Sequence, residues 1–248
     1  MDSADKLFSA RVNDLLSISK SRNIVRFSSF LDEKEQYIAE DIAKSSGQDY
    51  MFFGGCKNTV RKVLGVFPDY MPPDESEFPI VLVTAEFKSE YSLSHRDFLG
   101  ALMALQIKRE AVGDIIVGEG KAVIFVIDKL VPTIMQELSK VGRVGVKLSV
   151  GADNFEMPEQ KFEQITGSVS SPRIDAVVSL LIGMSREKAS ALIKSGDVNV
   201  NYREVLSASR TLHEGDIITV KKHGKYVFRG DVGTTKKNKL RIVCDKYI

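Results

Sequence analysis

The chain has 248 residues, with 35 Lys and Arg against 33 Asp and Glu and a formal net charge of +2. That length admits more than one domain of the common size of about 100 to 150 residues. Cys56 and Cys244 are the only cysteines and form no Cys-x-x-Cys pair, which excludes a disulfide framework and predicts reduced thiols in a cytoplasmic protein. No apolar run approaches the roughly 20 residues needed to span a bilayer, and the acidic start Met1-Asp2-Ser3-Ala4-Asp5 does not fit a secretory signal, so no membrane partner is expected.

Residues 1–75 predict a helical amino-terminal region. Leu7, Phe8, Val12, Leu15 and Leu16 share one helical face, and Phe30, Leu31, Tyr37, Ile38 and Ile42 share another that Gly47 ends. Met51-Phe52-Phe53 then reads as a short apolar strand entering a turn at Gly54-Gly55. The acidic, proline-rich stretch from Phe67 to Glu77 marks a first boundary near residue 75.

Residues 76–165 alternate in an ordered way. Strands are predicted over 80–87, 114–117, 122–127 and 144–150, with helices over 94–105 and 128–140. That βαββαβ order predicts a ferredoxin-like, RRM-like domain: an antiparallel sheet with both helices on one face and the other face open. RNA-recognition domains stack bases on several aromatics of that open face. Gly120 to Ile127 carries Phe125 alone, so stacking is not expected here. A polar stretch, Gly151 to Ser171, with Pro158 and Gly167, sets a second boundary near 165.

Residues 166–248 predict a small αα-β unit with a basic β tail, which makes the whole chain α+β. Val177, Val178, Leu181 and Ile182 follow Asp175 at helical spacing and stop at Gly183. Ser185 starts a second helix as its cap, Ala189, Leu192 and Ile193 form its apolar stripe, and Gly196 ends it. Val198 and Val200 form a strand, the Tyr202-Arg203-Glu204 stretch turns, and Gly215-Asp216 leads into a strand from Ile217 to Val220.

Charge is polarised between the two parts. Residues 171–248 hold 15 basic against 8 acidic residues, whereas residues 1–170 hold 20 against 25. The excess lies past Val220, where Lys221, Lys222, Lys225, Arg229, Lys236, Lys237, Lys239, Arg241 and Lys246 face Asp231 and Asp245. Tyr226-Val227-Phe228 and Leu240 to Val243 predict that these cations sit on strands. Arg173 and Arg186 stand at the starts of adjacent helices, where a cation opposes the helix dipole. A phosphate ligand supplies the missing reason, since Arg holds phosphate bidentately beside exposed helix N–H groups. The candidate RNA-binding residues are Arg173, Ser185, Arg186, Lys188, Lys194, Asn201, Arg203, Lys221, Lys222 and Lys225.

Arg173-Ile174-Asp175, then Gly183-Met184-Ser185-Arg186, then Leu192 to Asn201, then Gly215 to Val220 resemble the RNA-binding domain named after ribosomal protein S-four. Tyr202 stands where that domain usually has glycine, and because a non-glycine at positive φ is costly, a wider hairpin is expected. Phe53-Gly54-Gly55, Arg61-Lys62, Phe67-Pro68, Arg109-Glu110 and Gly113-Asp114-Ile115 resemble the bacterial YlmH family over nearly the whole chain. Lys57-Asn58-Thr59-Val60 departs from it where a glutamate is expected. The resemblance implies ribosome work: large-subunit ribosomal RNA as partner, quality control of stalled peptidyl-tRNA complexes and tRNA as a candidate second partner, while the acidic amino-terminal half is expected to face a protein partner.

A non-enzymatic factor is therefore expected, with no catalytic residues, metal or cofactor. The alternative is an RNA-modifying enzyme of the pseudouridine synthase or methyltransferase class, with Asp97, Asp114 and Asp128 as available carboxylates. Arg173-Ile174-Asp175 opens a helix instead of lying in a Gly-Arg-Leu-Asp catalytic stretch, and Gly54-Gly55 is too short for a methyl-donor loop. The chain lacks the paired histidines of a tyrosyl-tRNA synthetase, and Gly118-Glu119-Gly120-Lys121 has the wrong spacing for a phosphate loop. His95, His213 and His223 have no second ligand at metal spacing. A protein-interaction scaffold using the middle sheet is a third reading.

Overall fold

The structure, a computed structural model, describes residues 3–151, 158–235 and 238–248. Met1 and Asp2, part of the second expected boundary segment (152–157), and the tail cations Lys236 and Lys237 lie outside the described residues. The chain is mixed α and β and divides into two compact units, 1–158 and 159–248. Among the described residues no helix is long and apolar enough to cross a membrane.

The amino-terminal region is not the helical segment expected. Helices α1 (Ser3–Arg22) and α2 (Glu33–Ser46) pack on an antiparallel sheet of β1 (Arg26–Leu31), β2 (Asp49–Phe53) and β3 (Lys62–Phe67), in the order β1-β3-β2. Phe30 and Leu31 belong to β1, not to a helical face. A capping box follows them directly: the Asp32 carboxylate accepts the Glu35 N–H at 2.9 Å, and the Glu35 carboxylate accepts the Asp32 N–H at 2.8 Å. The helix thus begins beyond Leu31. Strand β3 has no sequence signature because Val63 to Phe67 are all buried, and a strand covered on both faces lacks the polar alternation that betrays one.

The first unit's second sheet contains β4 (Ile80–Glu86), β5 (Val112–Val117), β6 (Lys121–Ile127) and β9 (Lys147–Val150) in the order β5-β6-β4-β9, with every neighbouring pair antiparallel. Helices α3 (His95–Ala104) and α4 (Val131–Glu137) cover one face, with Phe98, Leu102, Ile134 and Leu138 packed against Val83, Ile124 and Val126. The helix expected over 128–140 narrows to α4. The strand expected over 144–150 splits into β9 and a two-residue β8 (Val144–Gly145), which pairs with β7 (Lys140–Val141).

The opposite face of this sheet, expected to be open, is closed by the first sheet. Phe30, Val63 and Phe67 from one sheet join Val123 and Phe125 from the other, with Phe78, in a single buried cluster. The cause lies in β6, where Ala122 to Val126 are all buried: even positions face the helices and odd positions face the first sheet. Phe125 is therefore core, and the middle sheet offers no open scaffold. Two motif glycines serve this junction. A Cβ at Gly55 would enter the Phe125 ring, and one at Gly113 the Phe30 ring.

The second unit holds β10 (Phe162–Val169), α5 (Ile174–Leu181), α6 (Arg186–Lys194), β11 (Val198–Val200), β12 (Arg203–Glu204), β13 (Ile217–Val220), β14 (Gly224–Thr234) and β15 (Leu240–Tyr247). The six strands run β10-β15-β14-β13-β11-β12, all antiparallel. Both helices lie on one face, where Ile174, Val177 and Ile193 meet Val198, Ile218, Phe228 and Ile242. The basic tail forms β14 and β15, as its alternation predicts. Strand β10 runs through residue 165, inside the stretch expected to be a boundary, and pairs with β15 from Phe162↔Tyr247 to Val169↔Leu240.

The hairpin between β11 and β12 is tight, contrary to expectation. Val200 pairs with Arg203, leaving Asn201 (φ 50°) and Tyr202 (φ 62°) as a two-residue turn with both residues in the left-handed region. That is the turn whose twist matches the flanking strands, and Tyr202 adopts it despite its Cβ. Asn201 anchors the turn from its other position. Its backbone N–H donates to the Ile217 carbonyl at 2.8 Å, its side-chain oxygen accepts the Ile217 N–H at 2.9 Å, and its side-chain nitrogen donates to Asp216 at 2.7 Å.

Candidate nucleic-acid interface

The centre of the candidate site is a buried carboxylate. Asp175, on the first turn of α5, is 7% exposed and lies between Arg173, which precedes α5, and Arg186, which opens α6. Arg173 donates from Nε and Nη2 to the two Asp175 oxygens at 3.2 Å each, and Arg186 donates from Nη2 at 2.8 Å. Burial pushes the Asp175 carboxyl up, but the hydrogen bonds from Arg186 and Arg173 outweigh it and hold it below the usual carboxylate range. Asp175 also accepts the Ala176 N–H at 2.9 Å. One anion thus fixes the directions of two guanidinium groups whose side chains are 42% and 51% exposed. Each guanidinium has five N–H donors, so this arrangement still presents donors suited to phosphate.

The other predicted residues lie on α6 and on the strands and turns of the sheet. Ser185 caps α6, its hydroxyl accepting the Lys188 N–H at 3.3 Å, in agreement with its place in the sequence. Lys188 and Lys194 are exposed on α6. At about 100° per residue, Lys194 falls about 80° from Arg186 around the helix, whereas Lys188 falls about 160° away, so the α6 cations do not form one stripe. Asn201 directs its amide into Asp216 and Ile217, within the fold. Arg203 lies exposed on the edge strand β12. Lys221 pairs with Asp197 at 3.3 Å, and Lys222 occupies a left-handed position (φ 67°) in the β13–β14 turn.

Lys225 leads to two rings, Tyr247 and Phe162, that sequence reasoning missed as site residues. Its Nζ lies 4.6 Å from the Tyr247 ring centroid and 5.2 Å from that of Tyr202. Tyr247 in turn meets Phe162 edge to face at 4.9 Å. Arg229 lies 5.9 Å from the Phe162 centroid and donates to Asp245 at 2.7 Å. The signal available was alternation in the tail, in which Tyr226, Phe228, Ile242 and Cys244 point into the core and Lys225, Arg229 and Tyr247 point the other way. Phe162 carries no such signal, because β10 lies in a polar stretch that reads as a boundary.

In the first unit the motif residues Arg61, Arg109 and Asp114 form a structural junction. The Asp114 carboxylate accepts the Val60 N–H at 2.6 Å and the Arg61 N–H at 3.1 Å. Arg61 donates to the carbonyls of Val112 and Phe30, and Arg109 to those of Val112 and Gly113. Asp97 accepts from the Ser94 N–H and hydroxyl at the start of α3, and Asp128 accepts the Lys129 N–H. Each candidate carboxylate thus has a local backbone duty. Nearby, burial and then Arg109 lower the pKa of His95, with Asp114 opposing. Among the described residues no three His, Cys, Asp or Glu side chains group as metal ligands.

Comparison with known proteins adds two family matches. The model described as "Putative RNA-binding domain in YlmH" matches residues 73–153, and that of the S4 domain matches residues 172–218. The "Ribosome-associated protein quality control protein P2" of Bacillus subtilis (strain 168) is 30% identical over 224 residues, covering 90% of this chain and 87% of that protein. The structure titled "Cell division protein ylmH from Streptococcus pneumoniae" is similar in fold, with a TM-score of 0.54 and 23% identity over 61% of this chain and 93% of that chain. The Arg173–Asp175–Arg186 cluster falls inside the S4 match, while Phe162, Lys225, Arg229 and Tyr247 fall outside it.

Proposed function

The chain belongs to the YlmH family, and from that premise we propose that it is a non-enzymatic RNA-binding factor of the large ribosomal subunit, acting in quality control of stalled peptidyl-tRNA complexes. The observation that carries this reading is the pair of guanidinium groups aligned by buried Asp175. The name of the Bacillus relative supports the ribosomal destination. Arg173, Arg186 and Lys194 make the principal phosphate contacts, with Ser185 and Lys188 from α6, and Arg203, Lys221, Lys222 and Lys225 add contacts from the strands and turns of the sheet. Asn201 shapes the hairpin that presents them.

The division of labour follows an amino-terminal segment, 1–75, a middle segment from 76, and a carboxy-terminal unit that begins at 159, ahead of the expected cut at 165, so that β10 stays whole. The antiparallel order β5-β6-β4-β9 supports the ferredoxin-like reading of the middle segment. The acidic balance of residues 1–170 suits a protein partner better than RNA. Ribosomal RNA is the primary ligand and tRNA the second, in the cytoplasm.

Co-sedimentation with purified large subunits tests the site. Arg173→Ala with Arg186→Ala is expected to leave the protein in the supernatant at salt concentrations where the wild type pellets. Unchanged pelleting of this folded variant would remove the cluster from the interface. Mass mapping of ribosomal RNA with and without the protein is expected to show no added covalent mark.

A further inference from the structure

The sheet of the second unit has a face that its helices do not cover, and its aromatic residues cross the strands in a row. Phe162 of β10 pairs with Tyr247 of β15, and Lys225 of the next strand, β14, meets the Tyr247 ring; beyond it Thr219 pairs with Lys225, and Asn199 with Thr219. Directly paired residues share a face, and neighbouring strands lie about 4.8 Å apart. Tyr202 reaches the same lysine from the β11–β12 turn. The alternate residues Tyr226, Cys244, Ile218 and Val220 point into the helix-covered core, which places this row on the opposite side.

We propose that this face binds single-stranded RNA, with bases stacked on Phe162, Tyr247 and Tyr202 and the chain's phosphates held by Lys225 and Arg229. It rests on the reading of the chain as an RNA binder, but on residues separate from the Arg173–Asp175–Arg186 cluster. Chemistry selects the ligand. Rings interleaved with cations, Lys225 against Tyr247 and Tyr202 and Arg229 against Phe162, suit bases and phosphates, and Ile217 and Val227 on the same face add an apolar floor beside them. Phe162, the outermost ring, is 41% exposed. Acids on this face are Asp245, neutralised by Arg229 at 2.7 Å, and Glu204, at the far edge of the sheet opposite Asn199. Lys225 stands 4.6 and 5.2 Å from the centroids of Tyr247 and Tyr202, where a cation meets the phosphates of a chain stacked on those rings.

This places single-strand binding on a surface built mainly from β10, β14 and β15, beyond the S4 match at residues 172–218. The middle sheet, where open-face stacking belongs in RNA-recognition domains, has no exposed aromatic face because the first sheet covers it. The two candidate surfaces thus suit different RNA forms. The arginine cluster suits the phosphates of structured RNA, and the aromatic row suits unpaired bases.

The test is fluorescence anisotropy of the full chain with a labelled twelve-nucleotide oligouridylate, run beside large-subunit co-sedimentation. Phe162→Leu with Tyr247→Leu is expected to weaken oligouridylate binding about thirtyfold or more, with little effect on co-sedimentation. Phe162→Tyr with Tyr247→Phe, which keeps both rings, is expected to retain binding. Arg173→Ala with Arg186→Ala is expected to do the reverse of the leucine pair, so failure of either surface is read separately. In wild-type protein, ultraviolet crosslinks to 4-thiouridine oligonucleotide are expected on peptides containing Phe162 or Tyr247, which keeps the test valid should the leucine pair not fold. Absence of oligouridylate binding by the wild type, unchanged binding by the folded leucine pair, or crosslinks confined to residues 173–194 would overturn the proposal. So would a ribonuclease-resistant protein partner that the leucine pair no longer captures, since the face would then dock protein.

Discussion

Arg186 donates to the Asp175 carboxylate at 2.8 Å across the turn between two helices, joining the first residue of α6 to the first turn of α5. Two like charges are therefore held close by a buried anion, and removing the anion alone separates alignment from charge. Asp175→Asn is expected to cost about 1 kcal/mol in urea unfolding, because the two arginines it leaves are half exposed and return to water. It also makes the unit one charge more positive, which by itself strengthens binding to RNA. Weaker RNA binding by the folded variant therefore reports a loss of alignment; tighter binding would show that the arginines act as unoriented charges.

The same carboxylate gives a pH dependence of definite sign. Its folded pKa is depressed below the ordinary unfolded value of about 3.9, so its contribution is fully present above that value and is lost as pH falls through the folded pKa. Denaturation midpoints of the wild type and Asp175→Asn are expected to differ by their full amount at pH 6 and to begin converging as pH falls below about 4. A gap that stays constant below that pH would mean that Asp175 is not the titrating partner.

Salt dependence distinguishes phosphate binding from packing. Every phosphate that the protein ceases to neutralise lowers the slope of log affinity against log salt by about 1, so Arg173→Ala with Arg186→Ala is expected to reduce it by about 2. Arg173→Lys with Arg186→Lys keeps both charges and removes the planar fork. That pair is expected to retain most of the slope while binding more weakly at every salt concentration. Equal slopes for wild type and the alanine pair would place the phosphate-binding residues elsewhere.

What can be read from the chain depends on how local the signal is. The two helices of the second unit are legible because Ser185, Gly183 and the apolar spacing act within one turn of each other. Phe30 misleads because an apolar pair fits a helical face as well as a strand, and the deciding capping box at Asp32 lies just beyond it. Strand β3, buried on both faces, has no period to detect. Phe162 acquires its place from a strand about 85 residues later, so its meeting with Tyr247 has no local trace. Asp175 reads in sequence as the start of a helix; its clamping of Arg173 and Arg186 emerges only when the two helices pack.

Tyr202 gives a prediction in which stability and binding move apart. A non-glycine residue in the left-handed region is strained by about 1 kcal/mol or more, part of which glycine returns through its freer unfolded state. Tyr202→Gly also removes the ring beside Lys225. The variant is expected to be more stable than the wild type by up to about 1 kcal/mol, with weaker oligouridylate binding. A marked fall in its urea midpoint would instead show that the ring, through its neighbours, holds the turn.

Cys244 offers a chemical probe of the sheet that carries the aromatic row. It is fully buried on β15, opposite Phe228 on one side and Ile165 on the other, and burial pushes its thiol up to about 12, with Asp245 adding to the effect. At pH 8 the thiolate, which is the reactive form, is therefore scarce as well as enclosed. Cys56 is half-buried, and burial followed by Asp114 raises its thiol too. In a Cys56→Ser variant, Ellman's reagent is expected to leave Cys244 unmodified in buffer and to titrate one thiol in urea. The slow native rate then measures the opening of β14 and β15 around Cys244, so a protein whose Cys244 reacts at once cannot hold Phe162 and Tyr247 in register.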